Sequence, residues 1–208
     1  MSLKLTISIK MDKKAQKGEY IDILLRSKKT VFSTNDVALF WGEESSNATR
    51  VRLSYYVKTG KLINIHRGLY AKDENYDRFE LATRIYTPAY ISFETVLTRA
   101  GINFQYYGNI FVASYVNREL DIGGQKITFV RMKNYVLSDT VGIEHGDGYA
   151  VATKERAFLD RIYISKDYHF DNLDALDWGK VFEILPIYHS KRMNKKVKEY
   201  FEYYKSQQ

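Results

Sequence analysis

The 208-residue sequence predicts an α+β fold in two parts: a helical N-terminal module carrying a short hairpin, then a small C-terminal α+β domain with an antiparallel sheet and helices. Three observations carry that prediction. Two capped helical segments follow one another between Ser33 and Gly60. The run Leu62-Ile-Asn-Ile-His-Arg-Gly-Leu-Tyr70 comes directly behind them with strand, turn and strand residues, and the second half alternates β-branched runs with short capped helices. Helices followed by a basic hairpin are the order of a winged helix-turn-helix, here residues 12–74, with 75–208 as the second domain and residues 1–11 as a leader open to disorder.

The first helix is expected from Asp12 to Arg26, where Tyr20, Ile21, Leu24 and Leu25 recur on one helical face, and Lys28 and Lys29 lie in its exit. Ser33, with Asp36 three residues on, forms a shortened capping box for a second helix whose apolar residues are Val37, Ala38, Phe40 and Trp41. Gly42 ends that helix by adopting the left-handed conformation. Ser45, Ser46 and Asn47 offer the next N-cap, and a third helix runs through Arg50, Arg52 and Lys58 to Gly60. At about 100° per residue, Asn47, Arg50 and Ser54 share one side and Thr49, Leu53 and Tyr56 the other. Val51 and Tyr55 form a further apolar strip, open either to DNA or to the first helix.

Behind this candidate recognition helix, Leu62, Ile63 and Ile65 suit a strand, Arg67-Gly68 a turn, and Leu69-Tyr70-Ala71 a return strand. Basic side chains at a hairpin tip reach phosphate or a narrow minor groove, while the N-terminal residues of a recognition helix meet base edges. The residues predicted to contact double-stranded DNA are therefore Ser45, Ser46, Asn47, Arg50, Arg52, Ser54, Lys58, Lys61, His66, Arg67 and Lys72. Charge supports the placement. Residues 1–74 hold 14 Lys and Arg against 8 Asp and Glu, a net of +6 out of the chain's +7, and the remaining residues hold 18 against 17.

The composition narrows the function classes. With 45% hydrophobic residues, 18 Tyr and 11 Phe, the chain can pack aromatic-rich cores. The absence of Cys removes disulfides, thiolate nucleophiles and Cys-based zinc sites, and fits a cytoplasmic setting. No apolar run approaches the roughly 18 to 20 residues of a membrane span, so no membrane partner is expected.

Three segments resemble the AbiEi-type antitoxins, transcriptional regulators of abortive-infection and type IV toxin-antitoxin systems. They are Gly60-Lys-Leu-Ile-Asn-Ile-His-Arg-Gly-Leu-Tyr70, Tyr90-Ile-Ser-Phe-Glu-Thr-Val-Leu-Thr-Arg-Ala-Gly101 and Gly148-Tyr-Ala-Val-Ala-Thr-Lys-Glu-Arg-Ala-Phe-Leu-Asp160. Where that family usually has Pro, this chain has Lys154; Glu155, Arg156, Ala157 and Asp160 remain. The resemblance implies a winged-helix repressor of its own operon, joined to a domain that neutralises a separate nucleotidyltransferase-like toxin without needing a stable complex with it.

In the second half, Ser92 is expected to cap a short helix with Thr95 in place of the usual Glu, stopping at Gly101. Asn109 to Tyr115 and Gln125 to Met132 read as strands of a hairpin turning at Gly123-Gly124, and Val136 to Ile143 as a further strand. Gly146-Asp147-Gly148 reads as a turn into Tyr149-Ala-Val151, and Thr153 as the cap of a helix from Lys154 to about Ile164, with Phe158, Leu159 and Ile162 inward. Arg156 is available there for an internal ion pair. From Lys191 to Gln208, Val197, Tyr200, Phe201 and Tyr204 form the apolar stripe of a basic amphipathic helix, either packed on the domain or adding partner or phosphate contacts.

Signals for catalysis are thin. Glu144, His145 and Asp147 lie close together and suit metal or acid–base chemistry, but the glycines beside them favour a polar turn. No phosphate-binding loop, dinucleotide fingerprint or serine elbow is present, so no enzyme activity, catalytic residue, metal or cofactor is predicted. The expected function is an operator-binding repressor and antitoxin; the alternative is a protein-interaction module that binds a toxin or other partner without reading DNA.

Overall fold

Polar caps and apolar stripes divide the chain into two compact units between Tyr76 and Asp77. A computed structural model describes residues 18–43, 46–146, 148–165 and 167–208. The architecture is α+β throughout. In the first unit the elements run α1 (Glu19–Arg26), β1 (Val31–Ser33), α2 (Thr34–Trp41), α3 (Ser46–Lys58), β2 (Ile63–His66) and β3 (Leu69–Ala71). The leader and the expected start of α1 at Asp12 lie outside the described residues.

The capping box forms as the residue spacing requires. Ser33 Oγ accepts from the Asp36 backbone N–H at 3.1 Å, the Asp36 carboxylate accepts from the Ser33 N–H at 2.9 Å, and Gly42 closes the helix. Tyr20, Ile21 and Leu24 of α1 meet Val37 and Trp41 of α2 and Leu53 and Tyr56 of α3 in one apolar core, which Phe32 and Leu62 complete. Trp41 is its centre: fully buried, it donates from Nε1 to the Tyr20 carbonyl at 2.8 Å, so its polar atom is not stranded. Beside this core lies a three-stranded antiparallel sheet of order β1-β3-β2. β1 has no counterpart in the sequence-derived plan, because three residues leading into a helix cap carry no period of their own.

The second unit runs α4 (Arg78–Ile85), β4 (Tyr90–Ile91), α5 (Glu94–Arg99), β5 (Ile110–Ser114), β6 (Arg118–Ile122), β7 (Gln125–Arg131), α6 (Asn134–Leu137), β8 (Ile143–His145), β9 (Ala150–Ala152), α7 (Lys154–Ile164), α8 (Trp178–Ile184), a 3-10 turn (Leu185–Tyr188) and α9 (Lys191–Ser206). Its six strands form one sheet of order β6-β7-β5-β4-β9-β8. The expected antiparallel sheet is mixed instead, since β5 pairs with β7, and β4 with β9, in parallel. The cause is β6, whose polar sequence Arg-Glu-Leu-Asp-Ile takes the sheet edge. It forms the hairpin with β7 across Gly123-Gly124, leaving β5 to reach β7 by a crossover.

Two further expectations change. Val136 and Leu137 belong to the single turn of α6 rather than to a strand. Ser92 does not cap α5: Phe93 stands at that position with φ +54° and ψ −139°, a sparsely populated conformation costing on the order of 1–3 kcal/mol. Ser92 and Thr95 are used elsewhere, Ser92 Oγ donating to Asp160 at 2.7 Å and Thr95 Oγ1 accepting from the Phe111 N–H at 2.7 Å.

Asp160 is the reason. Arg156 and Asp160, one turn apart on α7, form a fully buried ion pair at 3.3 Å. Besides Ser92, Asp160 accepts from Tyr188 Oη at 2.7 Å and Tyr90 Oη at 3.0 Å. Arg156 donates to the carbonyls of Val136 at 2.7 Å and Val141 at 2.6 Å. Burial pushes the Asp160 carboxyl up, and Arg156 with the three hydroxyls pulls it back. Gly142 closes the loop over this cluster at φ +73°, where a Cβ would stand 2.8 Å from Ile184 Cδ1 and 3.0 Å from Arg156 Cβ. On the outer side of α7, the predicted stripe of α9 packs inward, with Tyr200 against Phe158 and Phe170 and Phe201 against Trp178.

Removing one charge of this pair strands the other. Asp160→Ala is expected to destabilise the second unit by about 3–5 kcal/mol, and the paired change Arg156→Met with Asp160→Leu to be less destabilising than that single change, without full recovery because the hydroxyls of Tyr90, Ser92 and Tyr188 lose their acceptor. Urea unfolding of the three proteins checks it; a single variant as stable as the parent would show the pair to be dispensable.

Candidate nucleic-acid interface

Helix α3 is two-faced, and the division decides which of its residues are available to a ligand. Thr49, Leu53 and Tyr56 are buried as the wheel predicts, and burial raises the Tyr56 phenol pKa, with Arg52 opposing. The other side carries Asn47, Arg50, Val51, Ser54, Tyr55 and Lys58 at successive i, i+3, i+4 positions, all exposed. Val51 is 72% exposed and Tyr55 58%, so the apolar strip whose direction the wheel left open faces solvent. A shallow depression runs along this face between Arg50, Val51, Ser54, Tyr55 and Lys58.

What fixes this face is a carboxylate that no motif in the sequence marks. Glu43, just behind the end of α2, accepts from Thr49 Oγ1 at 2.6 Å and binds the guanidinium of Arg52, and its own N–H donates to the Ala38 carbonyl at 2.9 Å. The carboxylate thereby ties the end of α2 to the first turns of α3 and sets the rotation of α3 about its own axis. The available signal was spacing alone, Glu43 standing six residues before Thr49 and nine before Arg52.

Arg52 is consequently not part of the exposed face. Its guanidinium carbon lies 3.8 Å from the Tyr20 ring centroid and 5.5 Å from that of Trp41, a cation–π position on the core. Lys72 is likewise occupied: its Nζ donates to the carbonyls of Leu25 at 3.1 Å and Ser27 at 2.5 Å, satisfying the end of α1. Both were predicted as DNA contacts; the structure places the Arg52 guanidinium over the rings of the core and the Lys72 ammonium at the end of α1. Ser45 lies outside the described residues, and Ser46 is described only as the first residue of α3.

The hairpin is anchored at its turn. The Gly68 carbonyl accepts from the Thr34 N–H at 3.1 Å, joining the tip to the start of α2, and Asn64 Nδ2 donates to the carbonyls of His66 at 3.1 Å and Leu69 at 3.2 Å. Arg67 at the tip and Lys61 at the approach are exposed, while His66 is half-buried at a bulge in the β2–β3 pairing. Of the predicted set, Asn47, Arg50, Ser54 and Lys58 share one helix face, and Lys61 and Arg67 sit on the hairpin and its approach.

Elsewhere, Glu144 and His145 are exposed on β8 and Asp147 lies outside the described residues. No group of three or more metal-ligating side chains is found among the described residues, nor any helix long and apolar enough to cross a membrane. No family model matches the chain, and no curated protein matches it. Among solved structures, that of the RV2827C protein from Mycobacterium tuberculosis is similar at 10% identity and a TM-score of 0.45, over 80% of this chain and 69% of that one. A likeness that distant carries no argument about this protein.

The two arginines of α3 should separate cleanly. Arg52→Ala removes a ring contact and an ion pair and is expected to lower the stability of the first unit by about 1 kcal/mol. Arg50→Ala, which removes an exposed side chain, should stay within about 0.5 kcal/mol of the parent. Thermal unfolding by circular dichroism reads both, and equal losses would contradict the assignment of faces.

Proposed function

We propose that the first unit is a winged helix-turn-helix and that the chain binds double-stranded operator DNA to repress its own operon, as the antitoxin of a type IV, abortive-infection toxin-antitoxin system. The observation that carries the DNA reading is the exposed face of α3, where Asn47, Arg50, Ser54 and Lys58 stand in line on a helix whose opposite side is locked into the core. Asn and Arg donors match the adenine and guanine edges of the major groove, and an apolar residue such as Val51 matches the thymine methyl. Lys58, Lys61 and Arg67 supply phosphate contacts flanking that helix. The antitoxin part rests on the three segments that resemble the AbiEi-type proteins, and its partner would be a nucleotidyltransferase-like toxin encoded beside it.

A second reading is favoured by the same exposed apolar pair. Val51 and Tyr55 on one face also suit a protein partner, and in that case the unit would hold a toxin or another protein rather than DNA. Co-expression with the neighbouring gene product separates the two, since a stable complex from a protein without affinity for its own upstream DNA supports only the second.

Three exposed cations, Lys58, Lys61 and Arg67, lead to a quantitative expectation. If each neutralises one phosphate, log K should fall with log salt at a slope of about −2.7, and Arg67→Ala should flatten it by about 0.9. Arg50→Ala should cost about 1–3 kcal/mol on the operator and much less on random duplex. Mobility shifts with upstream and scrambled duplexes across a salt series read all three. Equal affinity for the two duplexes would remove operator recognition.

A further inference from the structure

The second unit is almost neutral in composition, yet one groove on it is lined by three cations and no carboxylate. The groove runs between the end of β7 and the start of α9, has a volume of about 1080 Å³, and presents Arg131, Lys133 and Arg192. With 18 basic and 17 acidic residues from 75 to 208, an even scatter of charge would place acids beside these bases. Arg131 and Lys133 are exposed, and no ion pair is found for either among the described residues.

The third cation is held in place. Arg192 donates to the carbonyls of Ile162 at 3.2 Å, Tyr163 at 2.7 Å and Ser165 at 3.2 Å, so it offsets the negative end of α7 where that helix meets the groove. The aromatic wall is equally constrained. Tyr135 Oη lies 3.3 Å from Tyr163 Oη and donates to the Tyr188 carbonyl at 3.2 Å. Tyr188 is itself bonded to Asp160, so the wall is tied to the buried ion pair of the unit. Burial and the Tyr135 contact push the Tyr163 phenol up to about 12. Tyr135 remains 43% exposed, a ring fixed at its hydroxyl, with the His189 ring 5.5 Å away at 52° and Lys133 Nζ 5.9 Å from its centroid.

We propose that this groove is a second nucleic-acid site, one that takes a short single strand with its phosphodiesters on Arg131 and Lys133 and a base stacked on Tyr135. Cations beside an exposed aromatic ring are the two components of single-strand binding, and a duplex does not present its base faces to such a ring. The groups involved meet phosphate and base faces, which RNA and DNA share. The site is independent of α3 and the hairpin, and its residues belong wholly to the second unit.

The test is fluorescence anisotropy of the full chain with a labelled single strand of about eight nucleotides, within the usual site size, as RNA and as DNA. Arg131→Gln with Lys133→Gln should flatten the salt dependence by about 1.4, at roughly 0.7 per single-strand phosphate, and lower affinity. The charge-matched control Lys28→Gln with Lys180→Gln, on exposed residues outside the groove, should leave the slope within about 0.3 of the parent. Tyr135→Ala should weaken binding by at least about fivefold and Tyr135→Phe should restore it, melting curves showing that each variant is folded. Failure of the parent to bind a single strand, equal flattening by the groove and control pairs, or undiminished binding by Tyr135→Ala would each overturn the proposal.

Discussion

Arg156 and Asp160 face one another within one turn of a helix, with neither side chain reached by solvent, and the second unit is arranged so that neither charge is left uncompensated. A buried ion pair is a poor source of net stability, because desolvation cancels most of the attraction. Its structural effect is one of demand. Asp160 requires hydroxyl donors, which come from Tyr90 on β4, Ser92 at the following corner and Tyr188 on the 3-10 turn; Arg156 requires acceptors, which come from α6 and the loop after it. Four stretches distant in sequence, around residues 90–92, 136–141, 156–160 and 188, are therefore held to one point.

A smaller version of the same constraint organises the first unit. Glu43 accepts from Thr49 and Arg52 and so determines how α3 is rotated against α2. Once that rotation is set, Leu53 and Tyr56 enter the core, and Asn47, Arg50, Val51, Ser54, Tyr55 and Lys58 have only solvent to face. Arg50 and Arg52 are identical in type and two positions apart, yet one is exposed and the other lies over the ring of Tyr20. A helix advancing about 100° per residue separates such neighbours by more than half a turn.

The two candidate nucleic-acid surfaces differ in how they are built. On α3 the polar face is what remains after the apolar face is buried, and its donors lie along a helix of a length suited to a groove. In the second unit the cations come from a strand end and a helix start brought together by the fold, beside a tyrosine fixed through Tyr188 to the ion pair. Net charge gave no sign of the second, because 18 bases nearly balance 17 acids when counted without regard to position.

Local signals were legible where a few adjacent residues satisfy one another: Ser33 with Asp36, the stop at Gly42, the hairpin at Arg67-Gly68, Thr153 before α7 and the apolar stripe of α9. These depend on periodicity and capping, whose range is a turn or two, and the sequence by itself determined them. The strand order of the mixed sheet, the turn at Val136, the non-capping role of Ser92 and the structural roles of Arg52 and Lys72 were decided by the tertiary structure. In each of these, a polar or β-branched residue had more than one acceptable local state. The choice fell to a partner tens of residues away, as Asp160 lies from Ser92 and Leu25 from Lys72, because a buried charge or carbonyl left unpaired costs more free energy than a local propensity supplies.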